Sequence, residues 1–310
     1  MSPLRQALDD YLTIRRQLGF KLEKDGRMLE GFVGFLEERG AAHLTSELAL
    51  AWASLPGAAH RYRCRQRLSI IRGFARHLAV IDPESEVPSH DLLPAQRQRR
   101  LAPHIYSPEE IAALMAAAGA LTPPLRAASA ETAVGLLGCT GLRIGEALGM
   151  DRGDVDLREG VLRVHAAKRG RWREVPLHAS TTEALRRYSR LRERRCPHPA
   201  TPAFFLGARG ERLMPVTFER IFRRLIAQTA VQSHGARQRP RPHDLRHSFA
   251  VHTLLDWYRR GQDVDRQMPL LSTYLGHVAP SSTYWYLQAV PELMALIGER
   301  VDRLQREDLQ

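Results

Sequence analysis

The sequence predicts a mainly α-helical protein with a small antiparallel β-hairpin sheet. Apolar residues recur at helical spacing through most of the 310 residues. Alternation of apolar and polar residues, which is typical of strands, is confined to a stretch around residues 154–178. Hydrophobic residues make up 44% of the chain, enough for a core. The length favours two domains, at about 100–200 residues each.

Residues 1–81 are predicted to form a helical domain. Four helices are expected, at about 4–17, 24–38, 46–54 and 59–80, with glycine breaks after the first two. The fourth helix carries six arginines and no acidic residue: Arg61, Arg63, Arg65, Arg67, Arg72 and Arg76. A solvated charged face is one interpretation of this pattern, and contact with a DNA backbone is the other. The absence of acidic residues favours the DNA contact.

Residues 82–106 are predicted to be a linker, because four prolines interrupt this stretch. A second domain is expected over residues 107–310. Ser107, Pro108 and Glu110 have the pattern of a helix start with a capping box. Helices are predicted at about 109–118, 123–139, 142–150, 181–194, 216–231, 243–256, 268–275 and 291–305, and strands at 155–157, 160–165 and 172–177. The turn between the last two strands is basic.

The charge of the chain indicates its partners. Lysine and arginine number 46 against 34 acidic residues, a formal net charge of +12, and only Lys21, Lys24 and Lys168 are lysines. Codon bias is one explanation of the arginine preference, but it does not explain the net charge. A polyanionic partner, most simply nucleic acid, is therefore expected.

Other features exclude several classes of protein. We find no apolar run long enough for a membrane span and no signal-peptide pattern, so a soluble, cytoplasmic protein is expected. The three cysteines are far apart and form no CxxC pair, which disfavours a zinc site or a disulfide framework.

Five short segments carry chemically useful side chains, in the order 140–146, the hairpin with Lys168, 243–247, 275–277 and 282–286. In the first, Arg143 follows a Thr-Gly break and opens a helix, where an anion is stabilised. Glu146 lies one turn later, and an ordinary surface ion pair with Arg143 is the simpler interpretation of that segment alone.

In the third segment, His243 and Arg246 share one helix face. An imidazole can move a proton while a neighbouring guanidinium meets a negative charge. His247 follows His243 by four residues, which raises the alternative of a two-histidine metal site. The zincin pattern is absent and Arg246 would repel a cation, so no metal is expected there.

Taken together, these segments resemble the tyrosine recombinase (phage integrase) family. The resemblance rests on TGLRIGEAL at 140–148, the hairpin lysine, HDLRHSFA at 243–250, LGH at 275–277 and the tyrosine that follows. It covers about residues 107–295, and the helices at 3–80 resemble the family's core-binding domain. The resemblance implies a site-specific DNA recombinase, and integration or excision of a mobile element is the expected process.

The resemblance also implies roles for individual residues. Arg143 and Arg246 would clamp the scissile phosphate, and His277 would hydrogen-bond it. Glu146 would be a supporting acid. No metal or other cofactor is implied, because fixed hydrogen bonds can meet the charge of the transition state.

Three further roles concern proton transfer and attack. Lys168 would protonate the leaving 5′ oxygen, and His243 would handle a proton. Tyr286 would be the nucleophile that forms a 3′-phosphotyrosyl intermediate. Tyr284 is the alternative nucleophile, but the family's usual interval of nine residues from His277 selects Tyr286.

The expected partner is double-stranded DNA with specific recombination sites. Its candidate contacts are Arg61, Arg63, Arg65, Arg67, Arg72, Arg169, Arg171, Arg239 and Arg241. The resemblance further implies a homo-tetramer on DNA in which the C-terminal helix docks on a neighbouring protomer. Docking of that helix on its own domain is the alternative.

Other functions stay open from the sequence. A type IB topoisomerase would use the same chemistry to relax supercoils, and a non-catalytic DNA-binding protein could keep the fold. A metal-dependent nuclease is disfavoured, because no carboxylate cluster accompanies the candidate site. The sequence does not distinguish an integrase from a transposon recombinase or a chromosome resolvase.

Overall fold

The computed structural model describes residues 2–55, 61–93, 103–165, 172–231 and 239–276, with the backbone alone for residues 61 and 62. The chain divides into two compact units, Met1–Arg99 and Arg100–Gln310. Each unit has its own buried apolar cluster. The predicted fold class, mainly helical with one small antiparallel sheet, is confirmed.

In its described ranges, the first unit has four α-helices: α1 (Pro3–Gln17), α2 (Glu23–Glu38), α3 (Ser46–Ala53) and α4 (Arg61–Ile81). All four correspond to predicted helices. The side chain of Ser2 caps α1 by accepting a hydrogen bond from the backbone N–H of Arg5. The apolar faces of the helices meet in a core that includes Leu8, Phe32 and Phe74.

The proline-rich segment predicted as a linker has described residues at both ends. Residues 82–93 belong to the first unit, in which the N–H of Glu86 donates to the carbonyl of Leu44 at 2.7 Å. A 3₁₀ turn, His90–Leu92, lies in this segment. At the other end, Tyr106 is buried in the core of the second unit. Residues 94–102 lie outside the described part of the chain.

The second unit contains seven helices among its described residues: α5 (Pro108–Gly119), α6 (Pro124–Thr140), α7 (Ile144–Gly149), α8 (Ala179–Arg195), α9 (Pro215–Gln228), α10 (Pro242–Arg259) and α11 (Val264–Leu275). The capping box of Ser107 and Glu110 starts α5 as predicted. Helix α11 begins four residues before its predicted start, because Asp263 provides an N-cap. The helix predicted at 291–305 lies outside the described residues.

The sheet has three antiparallel strands in the order β1 (Val155–Asp156), β2 (Val161–His165) and β3 (Trp172–Pro176). Leu162 pairs with Val175, and both face the core with Val164. Since side chains alternate along a strand, Arg173 shares the inward face of β3 with Val175. The tip, residues 166–171, lies outside the described residues. In the described part of the chain, no helix has the length and apolarity needed to cross a membrane.

Candidate active site

The site begins at the break between α6 and α7, where Gly141 adopts a φ of +60°. A Cβ atom at this position would lie 2.6 Å from Cδ1 of Phe249 and 2.9 Å from Cδ2 of Leu275. A side chain therefore does not fit between α10 and α11 at this point. The glycine ends α6 and lets the chain turn so that Arg143 stands at the start of α7.

Arg143 and Glu146 form more than a surface ion pair. The backbone N–H of Arg143 donates to Oε2 of Glu146 at 3.1 Å, and its Nη1 donates to Oε1 at 2.8 Å. The side chain of Glu146 is only 7% exposed, whereas that of Arg143 is 41% exposed. Burial alone would raise the pKa of Glu146, but hydrogen bonds from Arg173 and Arg143 lower it overall. A buried carboxylate thus holds an accessible guanidinium.

Arg246 is almost completely buried on the inner face of α10. Its Nη1 donates to the carbonyl of Gly141 and its Nη2 to the carbonyl of Leu275, each at 2.8 Å. The side chain therefore joins the end of α6 to the end of α11. Asp244 fixes the N-terminus of α10, because its carboxylate accepts a hydrogen bond from the backbone N–H of Arg241 at 2.8 Å.

Three arginines meet at the last residues of α11. Nε of Arg173 donates to the carbonyl of Tyr274 at 2.9 Å, Nη2 of Arg246 to that of Leu275, and Nη2 of Arg143 to that of Gly276 at 3.0 Å. The C-terminal carbonyls of a helix carry partial negative charge, so three guanidinium groups stabilise this end. Positive charge is consequently concentrated immediately before His277 in the chain.

His243 lies close to this positive charge, at the start of α10. Partial desolvation, followed by the charge of Arg246, lowers the pKa of His243 below its ordinary value of 6.5, and Arg143 acts in the same direction. The ring is solvent-accessible and packs edge-on against His247, with 4.8 Å between the ring centroids. The lowered pKa favours the neutral imidazole, the form that can accept a proton.

The structure brings together four of the predicted site residues: Arg143, Glu146, His243 and Arg246. Lys168, His277 and Tyr286, together with the alternative Tyr284, lie outside the described residues. Arg173 was not predicted. Its signal was present in the sequence, because the alternation of β3 places this arginine on the inward face with Val175, where a charge needs a partner.

The predicted DNA contacts on α4 differ in their surroundings. Arg72 is 8% exposed and donates to the carbonyls of Pro88 and Ser89 at 2.8 and 2.9 Å. Arg65 donates to the carbonyl of Leu93, and Arg67 to the carbonyl of Trp52, while Arg63 is exposed. We therefore remove Arg72 from the candidate DNA contacts, because its guanidinium is enclosed by protein.

The remaining DNA-contact candidates lie in the second unit. Arg239 and Arg241 are exposed beside the start of α10. Arg169 and Arg171, and the side chain of Arg61 in the first unit, fall outside what the structure describes. Within the described ranges, no cluster of three or more His, Cys, Asp or Glu side chains could hold a metal ion.

Known proteins resemble this chain over most of its length. The model of the phage integrase family matches residues 105–292. The integrase/recombinase y4rB of Sinorhizobium fredii is 42% identical over 98% of both chains. The tyrosine recombinase XerC of Azotobacter vinelandii is 30% identical over 79% of this chain and 80% of its own.

The fold is also found among solved structures. The integrase of transposon Tn1549, in complex with a circular-intermediate DNA, superimposes with a TM-score of 0.64 at 15% identity. The similarity covers 95% of this chain and 99% of that integrase. The solved structure shows the same fold, and the family match and the sequence relatives show that the chain belongs to the phage integrase family of tyrosine recombinases.

Proposed function

We propose that this protein is a site-specific DNA recombinase that cleaves and rejoins strands through Tyr286 and serves the integration or excision of a mobile element. The observation that carries this proposal is the convergence of Arg143 and Arg246 on adjacent carbonyls at the end of α11. This end leads in the sequence to His277 and Tyr286. A phosphate between the two guanidinium groups would therefore lie near the chain segment that contains the nucleophile.

The cleavage step follows from these groups. The phenolic oxygen of Tyr286 attacks the scissile phosphorus, and the bond from phosphorus to the 5′ oxygen breaks. Arg143 and Arg246 stabilise the additional negative charge of the transition state. His243 accepts the phenol proton, and Lys168 gives a proton to the leaving 5′ oxygen. The lowered pKa of His243 supports its role as acceptor.

The covalent intermediate makes rejoining possible without an external energy source. The phosphotyrosyl ester keeps the energy of the cleaved phosphodiester, so a 5′ hydroxyl can attack it and release Tyr286. If that hydroxyl belongs to a second duplex, the strands are exchanged.

We infer that the two units have different tasks on DNA. The second unit is the catalytic domain, and the first acts as the core-binding domain. Three exposed arginines are suited to phosphate contacts: Arg63 in the first unit, and Arg239 and Arg241 in the second. Arg169 and Arg171 are the corresponding candidates in the hairpin.

We propose that the protein acts on DNA as a homo-oligomer, specifically a tetramer in which residues 291–305 of one protomer dock on the next. The family supports assembly on DNA, and the apolar spacing of this segment supports docking. Deletion of residues 291–310 should reduce assembly on a paired site more than binding to a single site. An equal loss in both gel-shift measurements would contradict docking between protomers.

Covalent capture tests the proposed activity and identifies the target sequence in the same experiment. Sheared genomic duplex DNA from the host is incubated with the protein, the reaction is stopped with detergent, and DNA bound covalently to protein is sequenced. We expect a few sites, each consisting of short inverted repeats around a spacer, with the protein on a 3′ phosphate. Tyr286→Phe should capture none, and Tyr284→Phe should capture the same sites.

The same assay separates the alternatives. Capture without sequence preference, together with relaxation of any supercoiled plasmid, would favour a type IB topoisomerase. Binding with no captured DNA would indicate a non-catalytic DNA-binding protein. Capture by Tyr286→Phe but not by Tyr284→Phe would move the nucleophile to Tyr284.

A further inference from the structure

We propose that Arg173 is a positioning residue for DNA cleavage, which orients Arg143 through Glu146 and fixes the end of α11. This inference rests on the proposed function, because that function makes Arg143 a phosphate ligand. Arg173 lies on β3, five residues after Lys168. Arg173 would therefore couple β3, the strand that follows Lys168 in the sequence, to the two proposed phosphate ligands, Arg143 and Arg246.

The contacts of Arg173 are those of a fixed internal cation. Its Nη1 donates to Oε1 of Glu146 at 3.1 Å and its Nη2 to Oε2 at 2.9 Å, which is a parallel two-bond fork. Its Nε donates to the carbonyl of Tyr274. All three nitrogens of this guanidinium thus donate to protein acceptors, which favours a positioning role over a phosphate contact.

The backbone at the end of α11 is shaped around this guanidinium. Gly276 has a φ of +68°, and a Cβ atom there would lie 2.8 Å from Nη1 and 2.9 Å from Cζ of Arg173. Glycine is therefore needed for two reasons, its left-handed backbone and the space that Arg173 occupies. The carbonyl of the same glycine receives Nη2 of Arg143.

Glu146 connects the two arginines directly. Its Oε1 accepts from Nη1 of Arg143 and from Nη1 of Arg173. With Arg173 in place, each carboxylate oxygen accepts two hydrogen bonds, one from Arg143 and one from Arg173. Without it, Glu146 is oriented only by Arg143, and Arg143 loses the rigid partner that fixes its own guanidinium. A small displacement of a positioned group can slow a reaction by up to about 100-fold.

The test measures single-turnover formation of the covalent complex on a nicked duplex that contains a captured site. We compare the unmodified protein, Arg173→Gln, Glu146→Gln and the double variant. Arg173→Gln should be slower by roughly 10- to 100-fold with the final amount of complex retained, since positioning affects the rate. The double variant should be no slower than the slower single variant, because both act through one unit. Affinity for the duplex should stay within about threefold, as Arg173 does not contact phosphate.

Two further variants control for folding and charge. Arg158→Gln removes an arginine of the β1–β2 turn whose side chain is 94% exposed, and its rate should stay within about twofold of the unmodified protein. Arg173→Lys keeps the charge but not the fork. Arg173→Lys should form the covalent complex slowly but in full amount. This variant also tests the proposal if Arg173→Gln does not fold.

Several results would overturn this inference. These are an unchanged rate in Arg173→Lys, rate losses that multiply in the double variant, or a smaller amount of complex formed at the unmodified rate. The last would indicate a purely structural residue. If the unmodified protein forms no Tyr286-dependent complex, the proposed function itself fails, so the two failures are distinguishable.

Discussion

The arginines of α4 in the first unit and those around α11 in the second bind backbone carbonyls in different arrangements. Around α11, three arginines from three elements donate to three consecutive carbonyls, those of residues 274, 275 and 276. On α4, Arg65, Arg67 and Arg72 donate to carbonyls of separate segments. The first arrangement concentrates positive charge at one point, and the second distributes it along a helix.

This difference separates two uses of the same residue type. A concentrated set can stabilise the localised charge that develops during phosphoryl transfer. A distributed set attaches loops to the helix that carries it, and only its exposed members can contact a DNA backbone. The contrast predicts that substitutions in the second unit affect mainly the rate of cleavage, whereas those in the first unit affect stability or salt-dependent binding.

The largest effect is expected for Arg246→Lys. Two nitrogens of the planar Arg246 guanidinium donate to the carbonyls of Gly141 and Leu275, and a lysine cannot reproduce this geometry. Formation of the covalent complex should fall by about 100- to 1,000-fold, the usual loss for a transition-state donor. Arg260→Lys, at the exposed end of the same helix, should leave the rate unchanged. A near-normal rate for Arg246→Lys would remove this arginine from the proposed site.

The next prediction concerns pH and His243. Its pKa lies below 6.5, so the neutral ring persists to lower pH than in an ordinary histidine. The cleavage rate should therefore decline on the acidic side with a midpoint below pH 6.5, as His243 becomes protonated. His243→Gln should lower the rate by about 100-fold and abolish this decline. His198→Gln, in an exposed loop, should keep both rate and profile.

The pH profile of His243→Gln decides the outcome. If this variant keeps the acidic decline, the titrating group is another residue and His243 is not the proton acceptor. Measurement of the protonation of His243 by NMR in the DNA-free protein checks the direction of the pKa shift independently.

Local patterns were sufficient to predict most of the fold. The Ser107 capping box, the glycine breaks and the alternation in β2 and β3 depend on interactions within a few residues. Helix α11 begins earlier in the sequence than the apolar spacing predicts, because Asp263 caps its first turn. The order of the motifs predicted Arg143, Glu146, His243 and Arg246, which the fold then brings together.

Tertiary contacts determined what the sequence did not reveal. Six arginines of α4 have similar local surroundings in the sequence, but the guanidinium of Arg72 is enclosed by residues 88 and 89. Nothing in the helical period indicated that the segment after α4 returns to it. Arg173 is a different case. Its place on the inward face of β3 can be predicted from the alternation of the strand. Its partners cannot, because Glu146 and Tyr274 are 27 and 101 residues away in the sequence.

The smallest expected effect compares two arginines of the same helix. Arg72→Gln removes the donors to the carbonyls of Pro88 and Ser89, and the first unit should lose about 1–3 kcal/mol of unfolding free energy. Urea unfolding measures this loss. Arg63 is the matched position because it is exposed, and Arg63→Gln should lower this free energy by less than Arg72→Gln does.

DNA binding should show the opposite ranking. If Arg63 contacts a phosphate, Arg63→Gln reduces the slope of log affinity against log salt by about 0.9, whereas Arg72→Gln leaves this slope unchanged. A reduced slope for Arg72→Gln at unchanged stability would mean that Arg72 leaves its carbonyls to bind DNA. In that case the arginines of α4 would contact DNA after the segment at residues 88 and 89 moves away. They would then differ from the arginines around α11 in when they become accessible, not in whether they bind phosphate.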